Sequence, residues 1–475
     1  MFVRVKKIGT YEHLYLVENA REGGRHVQRV IKALGRRDEV EASGLLDNLI
    51  ASAARRSIVL SSYYRGELAE LRRRSIGPDL VFGRLWAETG CRDVLSSLLD
   101  GRRFGVERTI YLTVLHRLLV SGSDRHASTW RQGLRIPGAD DLDLDTTYKA
   151  MAWLGEVDKS GHSTAETIEE ALYRHRQPLF DAVSVAFFDT TTLWFEGAGG
   201  ESLGQRGHSK DYRGHLKQVV LGIVLDDADR PIASFLLPGN TADVTLLLPV
   251  VRRLRARFGI AQACIVADRG MISAAAIAAL EAEQIDYILG VRERSAREVR
   301  ETVIEDDGVA IPLVIPRQKG ETQLAVKEMT IAGRRYIVCR NEEEAQKDAA
   351  ARAEMIAGLA RQLAHGDKAL VANKGFRRFL AAPADNRFVI DQEKVEADAR
   401  FDGLFVLRTN TRIAALQVVL RYRNLLAVED AFRTAKALLA TRPIFHKTDA
   451  GIRGHVVCTF LALVLRKELM CCARN

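Results

Sequence analysis

Apolar and polar positions alternate in short runs over the first 36 residues (FVRVKKI, HLYLVEN, HVQRVIKAL), with Gly23 and Gly24 between runs, and this predicts a small β-rich lead-in over residues 1–37. From about Asp38 to Leu154 the period lengthens. Apolar residues recur at three and four, as at Leu68 and Leu71, at Leu80, Phe82, Leu85 and Trp86, and at Tyr111, Leu115, Leu118 and Leu119. Breakers at Gly77-Pro78, Gly101 and Gly122 cut this stretch into several helices, giving an expected mainly helical domain over 38–180.

Near Asp181 the texture changes again. Val183–Phe195 (VSVAFFDTTTLWF), Gln218–Leu225 and Pro231–Leu237 read as three strands joined by short loops, an antiparallel meander. A helix is predicted over Thr241–Phe258, with Asn240 as its cap and Asp243 in its first turn. A strand (Ala263–Ala267), a helix (Ser273–Glu283) and a strand (Tyr287–Val291) follow. The order β-β-β-α-β-α-β is that of a ribonuclease H-like core, which requires one more helix on the sheet. Residues 292–408 intervene first: strand-like VAIPLVIP, QLAVKEMTI and RRYIVCRN, a turn at Ala332-Gly333-Arg334, a helix over Glu342–Leu363, and a last strand at Leu404–Leu407. Helical periodicity resumes at Arg412 and runs through Tyr422–Leu439, with Leu426, Ala427, Phe432, Leu438 and Leu439 as its buried stripe. The expected division is thus 1–37, 38–180, 181–291, a β-rich insertion at 292–408, and a last core helix with a helical segment at 409–475.

Charge sharpens this outline. Residues 1–131 carry 23 Lys and Arg against 15 acids, and residues 411–475 carry 11 against 4, within a total of +9, so the middle is acidic. Basic ends suit a polyanion, because Lys and Arg displace the counterions of phosphate. This makes residues 38–180 a candidate DNA-binding domain. At 475 residues, 47% apolar and 28% charged, the chain has the balance of a multi-domain globular protein. Its longest near-apolar stretch, Val456–Leu465, falls short of the ~20 residues that span a bilayer, and no apolar signal core follows the N-terminus, so a cytoplasmic location is expected. Six scattered cysteines give no disulfide framework.

Chemistry gathers at three acids. Asp189 follows Phe187-Phe188 late in an apolar strand, where a carboxylate needs a cation or hydrogen bonds. Asp268 follows the strand Cys264–Ala267, at the strand end where open α/β sheets bind ligands. Glu429 lies in the helix LLAVEDAFRTAKALL, with Arg433 and Lys436 at i+4 and i+7 on the same face. Two strand-end aspartates and a helix glutamate can supply the oxygen ligands of two Mg²⁺ ions, and such a pair activates a water or a 3′ hydroxyl in phosphodiester exchange.

These residues resemble the DDE transposases of bacterial insertion sequences, in the large group named after insertion sequence four. The likeness rests on Phe188-Asp189-Thr190-Thr191, the block from Ser209-Lys210-Asp211 to Pro238-Gly239-Asn240-Thr241-Ala242-Asp243, Val266-Ala267-Asp268-Arg269-Gly270-Met271, and Tyr422–Lys436, and it runs from about Asp181 to Leu465. Tyr422, Glu429 and Lys436 have the spacing of the family signature Y-x2-R-x3-E-x6-K, with Leu425 where the arginine belongs. The resemblance implies a catalytic triad of Asp189, Asp268 and Glu429 on a ribonuclease H-like fold with a β-rich insertion. It implies Mg²⁺ as cofactor, with Mn²⁺ able to substitute, and DNA phosphate contacts by Tyr422 and Lys436, with Arg423 or Arg433 standing in for the missing arginine. The expected function is binding of the inverted repeats of an insertion sequence, with DNA cleavage and strand transfer by a homodimer on double-stranded DNA at the nucleoid. The alternatives are a metal-dependent nuclease of the same fold and a non-catalytic DNA-binding derivative.

Other candidates carry less. Thr191 fits the family's D-x-T pattern and equally a β-former. Lys210 and Arg213, in the loop RGHSKDYRGH, could line DNA, though a solvated loop is the simpler expectation. His446, His455, Cys458, Cys471 and Cys472 fit no standard zinc spacing. Asp226, Asp227 and Asp229 read as a solvated hairpin tip.

Overall fold

The computed structural model describes residues 1–23, 25–57, 74–99, 105–176, 183–260, 263–291, 299, 309–316, 320–365, 378–381 and 388–473. Leu68, Leu71, Gly101 and most of 292–308 lie outside the described residues. Two compact units are present, Met1–Arg73 and Arg74–Asn475. In the first, β1 (Phe2–Ile8), β2 (Tyr11–Glu22) and β3 (Arg25–Arg36) form an antiparallel sheet, followed by α1 (Arg37–Ala42) and α2 (Leu45–Ala54). The alternation of residues 2–36 is therefore a sheet. The chain begins with this β unit rather than with a mainly helical domain, because the helices after residue 76 share a core with the second unit.

Those helices are α3 (Gly77–Glu88), α4 (Cys91–Leu99), α5 (Val106–Leu119), α6 (Asp124–Trp130), α7 (Leu144–Leu154) and α8 (Thr164–Arg176). Trp86, Leu95, Ile110, Leu115, Met151 and Leu172 pack in one cluster with Phe187, Val266 and Leu461. The same cluster holds most of α15 (Asp449–Cys472), buried without a break from Ile452 to Leu465 except at Arg453. A helix apolar all round belongs inside a core, and this accounts for the near-apolar stretch at 456–465. No helix among the described residues is long and apolar enough to cross a membrane.

The central sheet has nine strands in the order β6-β5-β4-β7-β8-β14-β11-β10-β9. Its strands are β4 (Val185–Trp194), β5 (Gln218–Leu225), β6 (Pro231–Pro238), β7 (Cys264–Ala267), β8 (Tyr287–Val291), β9 (Ile311–Pro316), β10 (Glu321–Ile331), β11 (Arg334–Arg340) and β14 (Leu404–Thr409). The pairs β4–β7 and β7–β8 are parallel and the others antiparallel. Strands β9 to β11 thus extend the sheet through β14 instead of folding apart from it. Beside them lie α11 (Glu342–His365), α12 (Gln392–Ala399) and a short pair, β12 (Leu380–Ala381) and β13 (Val389–Ile390), with Leu359, Phe379 and Leu380 as a small core.

Strand alternation separates two cores. Val185, Phe187 and Leu193 of β4 belong to the cluster that holds α15, while Ala186 and Phe188 belong to the one with Leu247, Val250 and Leu254 of α9 (Leu247–Phe258) and Ile277 and Leu280 of α10 (Ala274–Ala282). Helix α9 starts six residues later than Thr241, after a single turn at Asp243–Thr245. The reason is Pro249: deeper inside a helix its ring would clash with the carbonyl four residues back, whereas in the first turn it is tolerated.

The last predicted helix is broken as well. It consists of α13 (Ala415–Arg423), α14 (Leu426–Arg433) and one wide π turn at Thr434–Leu438. The break rotates the buried stripe: Leu426 and Leu438 are exposed, and Val428, Phe432, Ala435 and Leu439 are buried.

Candidate active site

Register positions the first two acids. Strands β4 and β7 run parallel with Phe188 beside Ala267, so Asp189 and Asp268 are the next residues on neighbouring strands. Both share the parity of Phe187 and Val266, which places them on the sheet face covered by α13 to α15. The Asp189 carboxylate accepts the Thr190 amide at 2.6 Å. Burial pushes its pKa up to about 6; the Lys210 ammonium and the Thr190 amide oppose the rise, and the charges of Asp268 and Asp243 add to it.

Asp268 is held by a side chain from another element. The Tyr422 hydroxyl, at the end of α13, donates to Asp268 Oδ1 at 3.1 Å. Burial, and then the Asp268 charge, raise the Tyr422 pKa far above its usual range, so the hydroxyl keeps its proton and remains a donor. This approach needs a glycine beneath it: a Cβ on Gly290 of β8 would lie 2.4 Å from the Tyr422 oxygen. Tyr422 thus anchors an acid in this state.

Lys210 lies in the largely exposed loop expected for it, but its ammonium turns back onto β4. Its ammonium donates to the Thr190 carbonyl at 2.7 Å and to the Thr190 hydroxyl at 2.8 Å, and it lies 3.2 Å from Asp243 and 3.6 Å from Asp189. The Thr190 hydroxyl in turn donates to Asp243 Oδ1 at 2.8 Å. Asp243, which a sequence reading treats as a first-turn helix residue, belongs to this cluster because α9 starts late. The signal was its place in the block that ends Asn240-Thr241-Ala242-Asp243. Thr191 is buried in β4. Arg213 lies over the Trp194 ring, 4.5 Å from its centroid.

A second group adjoins the first. Lys436, in the π turn, donates to Asp211 Oδ1 at 2.9 Å, and Arg442 pairs with the other oxygen of the same carboxylate. Burial lowers the Lys436 pKa; Asp211 opposes this, and the positive charges of Arg442 and Lys210 reinforce it. Asp211 belongs to a block that carries the family likeness, but its pairing with Lys436 and Arg442 is not legible in the sequence, and Arg442 does not stand out there.

Glu429 is placed differently. It is exposed in the first turn of α14, a helix that packs on β4 and β5 through Val428 and Phe432. Among the described residues no three His, Cys, Asp or Glu side chains lie close enough together to hold a metal ion, so Glu429 is not gathered with the two aspartates. Arg433 is exposed and pairs with Asp430 at 3.4 Å; Arg423 is half-buried at the end of α13. Leu425 is a buried core residue.

The donors suit a hard cation. Two carboxylates on adjacent strands, one of them with a raised proton affinity, favour positive charge between and beside them, and a lysine ammonium already lies against Asp189 and Asp243. The other clusters are structural. His455 hydrogen-bonds the Thr441 carbonyl and Arg117, and Cys458 lies against Met151. At the hairpin tip Asp227 is exposed and Asp229 half-buried, while Asp226 is buried and accepts from Ala228 and Arg230.

A structure described as a piggyBac transposase synaptic complex with hairpin DNA is similar over 85% of this chain and 77% of its own at 11% identity, with a TM-score of 0.38, too loose a likeness to support an argument. No curated protein matches. The transposase DDE domain model matches residues 180–465, and the model of the IS1634 family transposase N-terminal domain matches residues 3–59, so the likeness is to the IS1634 family rather than to the insertion-sequence-four group. With the larger match spanning well over half of its length, the chain belongs to the DDE transposase family and is an enzyme of DNA transposition.

Proposed function

We propose that Asp189, Asp268 and Glu429 are the catalytic acids of this transposase and that they cut DNA at the ends of an insertion sequence and join the freed 3′ ends to a target. The observation that carries this reading is the register of β4 and β7, which sets Asp189 and Asp268 side by side on one sheet face, under the helices that carry Tyr422 and Glu429. The order β6-β5-β4-β7-β8, three antiparallel strands and then two parallel ones with a helix after each of β6 and β7, supports a ribonuclease H-like core.

Enzymes of this family generally use divalent cations. We assign two Mg²⁺, with Mn²⁺ able to substitute, to Asp189 and Asp268, with Glu429 completing the ligand set when DNA is bound. Divalent cations there supply an activated water or 3′ hydroxyl and neutralise the leaving oxygen. The chain's own residues prepare the site. Tyr422 fixes the rotamer of Asp268, the Thr190 amide fixes that of Asp189, and Lys210 balances the charge of Asp189 and Asp243 before cation and DNA arrive. Because two DNA ends must be brought together, the working form is a homodimer on DNA.

The test is a duplex bearing the inverted repeats that flank the coding region, incubated with protein and Mg²⁺. Cleavage followed by joining to a second duplex is expected, lost in EDTA while duplex binding persists. Cleavage that never leads to joining would make the protein a nuclease of the same fold, and binding without cleavage under any divalent cation would leave only a DNA-binding role.

A further inference from the structure

Lys210 and Asp211 are consecutive, yet each side chain enters a site of opposite charge. Lys210 lies against the carboxylates of Asp189 and Asp243, while Asp211 is gripped by Lys436 and Arg442. The next residue, Tyr212, is 99% exposed with a left-handed φ of 58°, so the chain turns outward directly after the pair. A carboxylate held by one ammonium and one guanidinium has the charge and the two-oxygen geometry of a phosphodiester held by the same groups. Meanwhile the position that carries arginine in the family signature holds Leu425, buried at 6% exposure and unable to reach DNA.

We propose that Arg442 joins Lys436, whose phosphate contact the family signature already implies, in one seat for a backbone phosphate of DNA, and that Asp211 fills this seat until DNA displaces it. The inference rests on the catalytic reading above, since it places substrate beside the same acids. Burial supports it: the Asp211 and Lys436 side chains are 14% and 13% exposed, and Arg442 is 26% exposed, so two cations are crowded around one removable anion. Lys436 also feels the positive charges of Arg442 and Lys210, so any ligand of this seat must be an anion. The shared loop has a consequence: when Asp211 leaves Lys436 and Arg442, Lys210 is drawn from Asp189 and Asp243 by the same movement. Phosphate entry and the opening of the acid cluster are then one event.

Binding of a mixed-sequence DNA duplex, followed by fluorescence anisotropy in EDTA from about 50 to 200 mM salt, tests the seat without cleavage. Arg442→Gln should weaken binding and flatten the salt slope by about one, and Arg442→Lys should restore the slope. Asp211→Asn should tighten binding by about threefold or more, because less of the protein is in the self-occupied form. The double variant Asp211→Asn/Arg442→Gln should show no such gain. An unchanged slope in Arg442→Gln, or weaker binding in Asp211→Asn, overturns the proposal and leaves a structural ion network. Should Arg442→Gln fail to fold, the Asp211→Asn affinity and its slope decide alone. The catalytic reading is judged separately by cleavage in Asp189→Asn: loss of cutting with an unchanged Arg442→Gln slope keeps the acids and rejects the seat, and retained cutting rejects the acids whatever the slope.

Discussion

The two sheet acids and the helix acid are held by different forces. Asp189 and Asp268 inherit their positions from backbone hydrogen bonds, since the pairing of β4 with β7 fixes their separation and a one-residue slip of either strand would put the two on opposite faces. Glu429 inherits its position from side-chain packing: α14 is two turns long, enters through a break at Asn424-Leu425, leaves through a π turn, and rests on the sheet by Val428 and Phe432. Backbone pairing is rigid and local to the sheet, whereas a short helix bounded by irregular turns can shift with what binds beside it. On the catalytic reading proposed above, the two sheet aspartates stand ready before substrate arrives and Glu429 is the adjustable member.

The largest effects should come from changing side-chain length at the two kinds of position. Asp189→Glu and Asp268→Glu should each lower the cleavage rate at least about a hundredfold, because the strand cannot retreat to accommodate an extra methylene, while Glu429→Asp should lose markedly less. Equal losses at all three positions, measured in single-turnover cleavage, would erase the distinction between rigid and adjustable acids. Next in size is Gly290→Ala, whose methyl would meet the Tyr422 hydroxyl at 2.4 Å. Overpacking of this kind should destabilise the protein by about 1–3 kcal/mol in urea unfolding and slow cleavage. An unaltered stability would mean that Tyr422 moves aside freely.

Tyr422→Phe keeps the ring and removes the donor to Asp268. It should slow cleavage by about tenfold, or ~1.4 kcal/mol of barrier, with a smaller effect on duplex binding. A larger effect on binding than on rate would return Tyr422 to the phosphate-contact role implied by the family signature. The smallest effect belongs to Arg433→Ala. Its side chain is exposed and reaches Asp430 at 3.4 Å, so stability should change by less than about 0.5 kcal/mol. A large drop in thermal stability would show that α14 depends on this pair.

The same contrast separates what could be read along the chain from what could not. The strands Val185–Trp194, Gln218–Leu225 and Cys264–Ala267 were legible because apolar β-branched and aromatic runs declare themselves locally. Asp268 was legible at the end of its strand for the same reason, whereas Asp189 lies in the middle of β4. The start of α9 was misplaced because Asn240 is a competent cap and only Pro249, nine residues on, forbids the earlier turn. The spacing over Tyr422–Leu439 predicts one unbroken helix because heptad-like spacing survives a break that only packing enforces.

The sequence by itself determined the β-rich start, the meander with its crossover strands and the transposase family, since each is written in short-range pattern or in spacing. Tertiary structure decided which groups meet. It set Lys210 between Asp189 and Asp243, Asp211 between Lys436 and Arg442, the Tyr422 hydroxyl over Gly290, and β9 to β11 on the edge of the same sheet. Those contacts join residues that are tens to hundreds of positions apart. Ion pairing and close packing depend on distance in space, and no local periodicity encodes that distance.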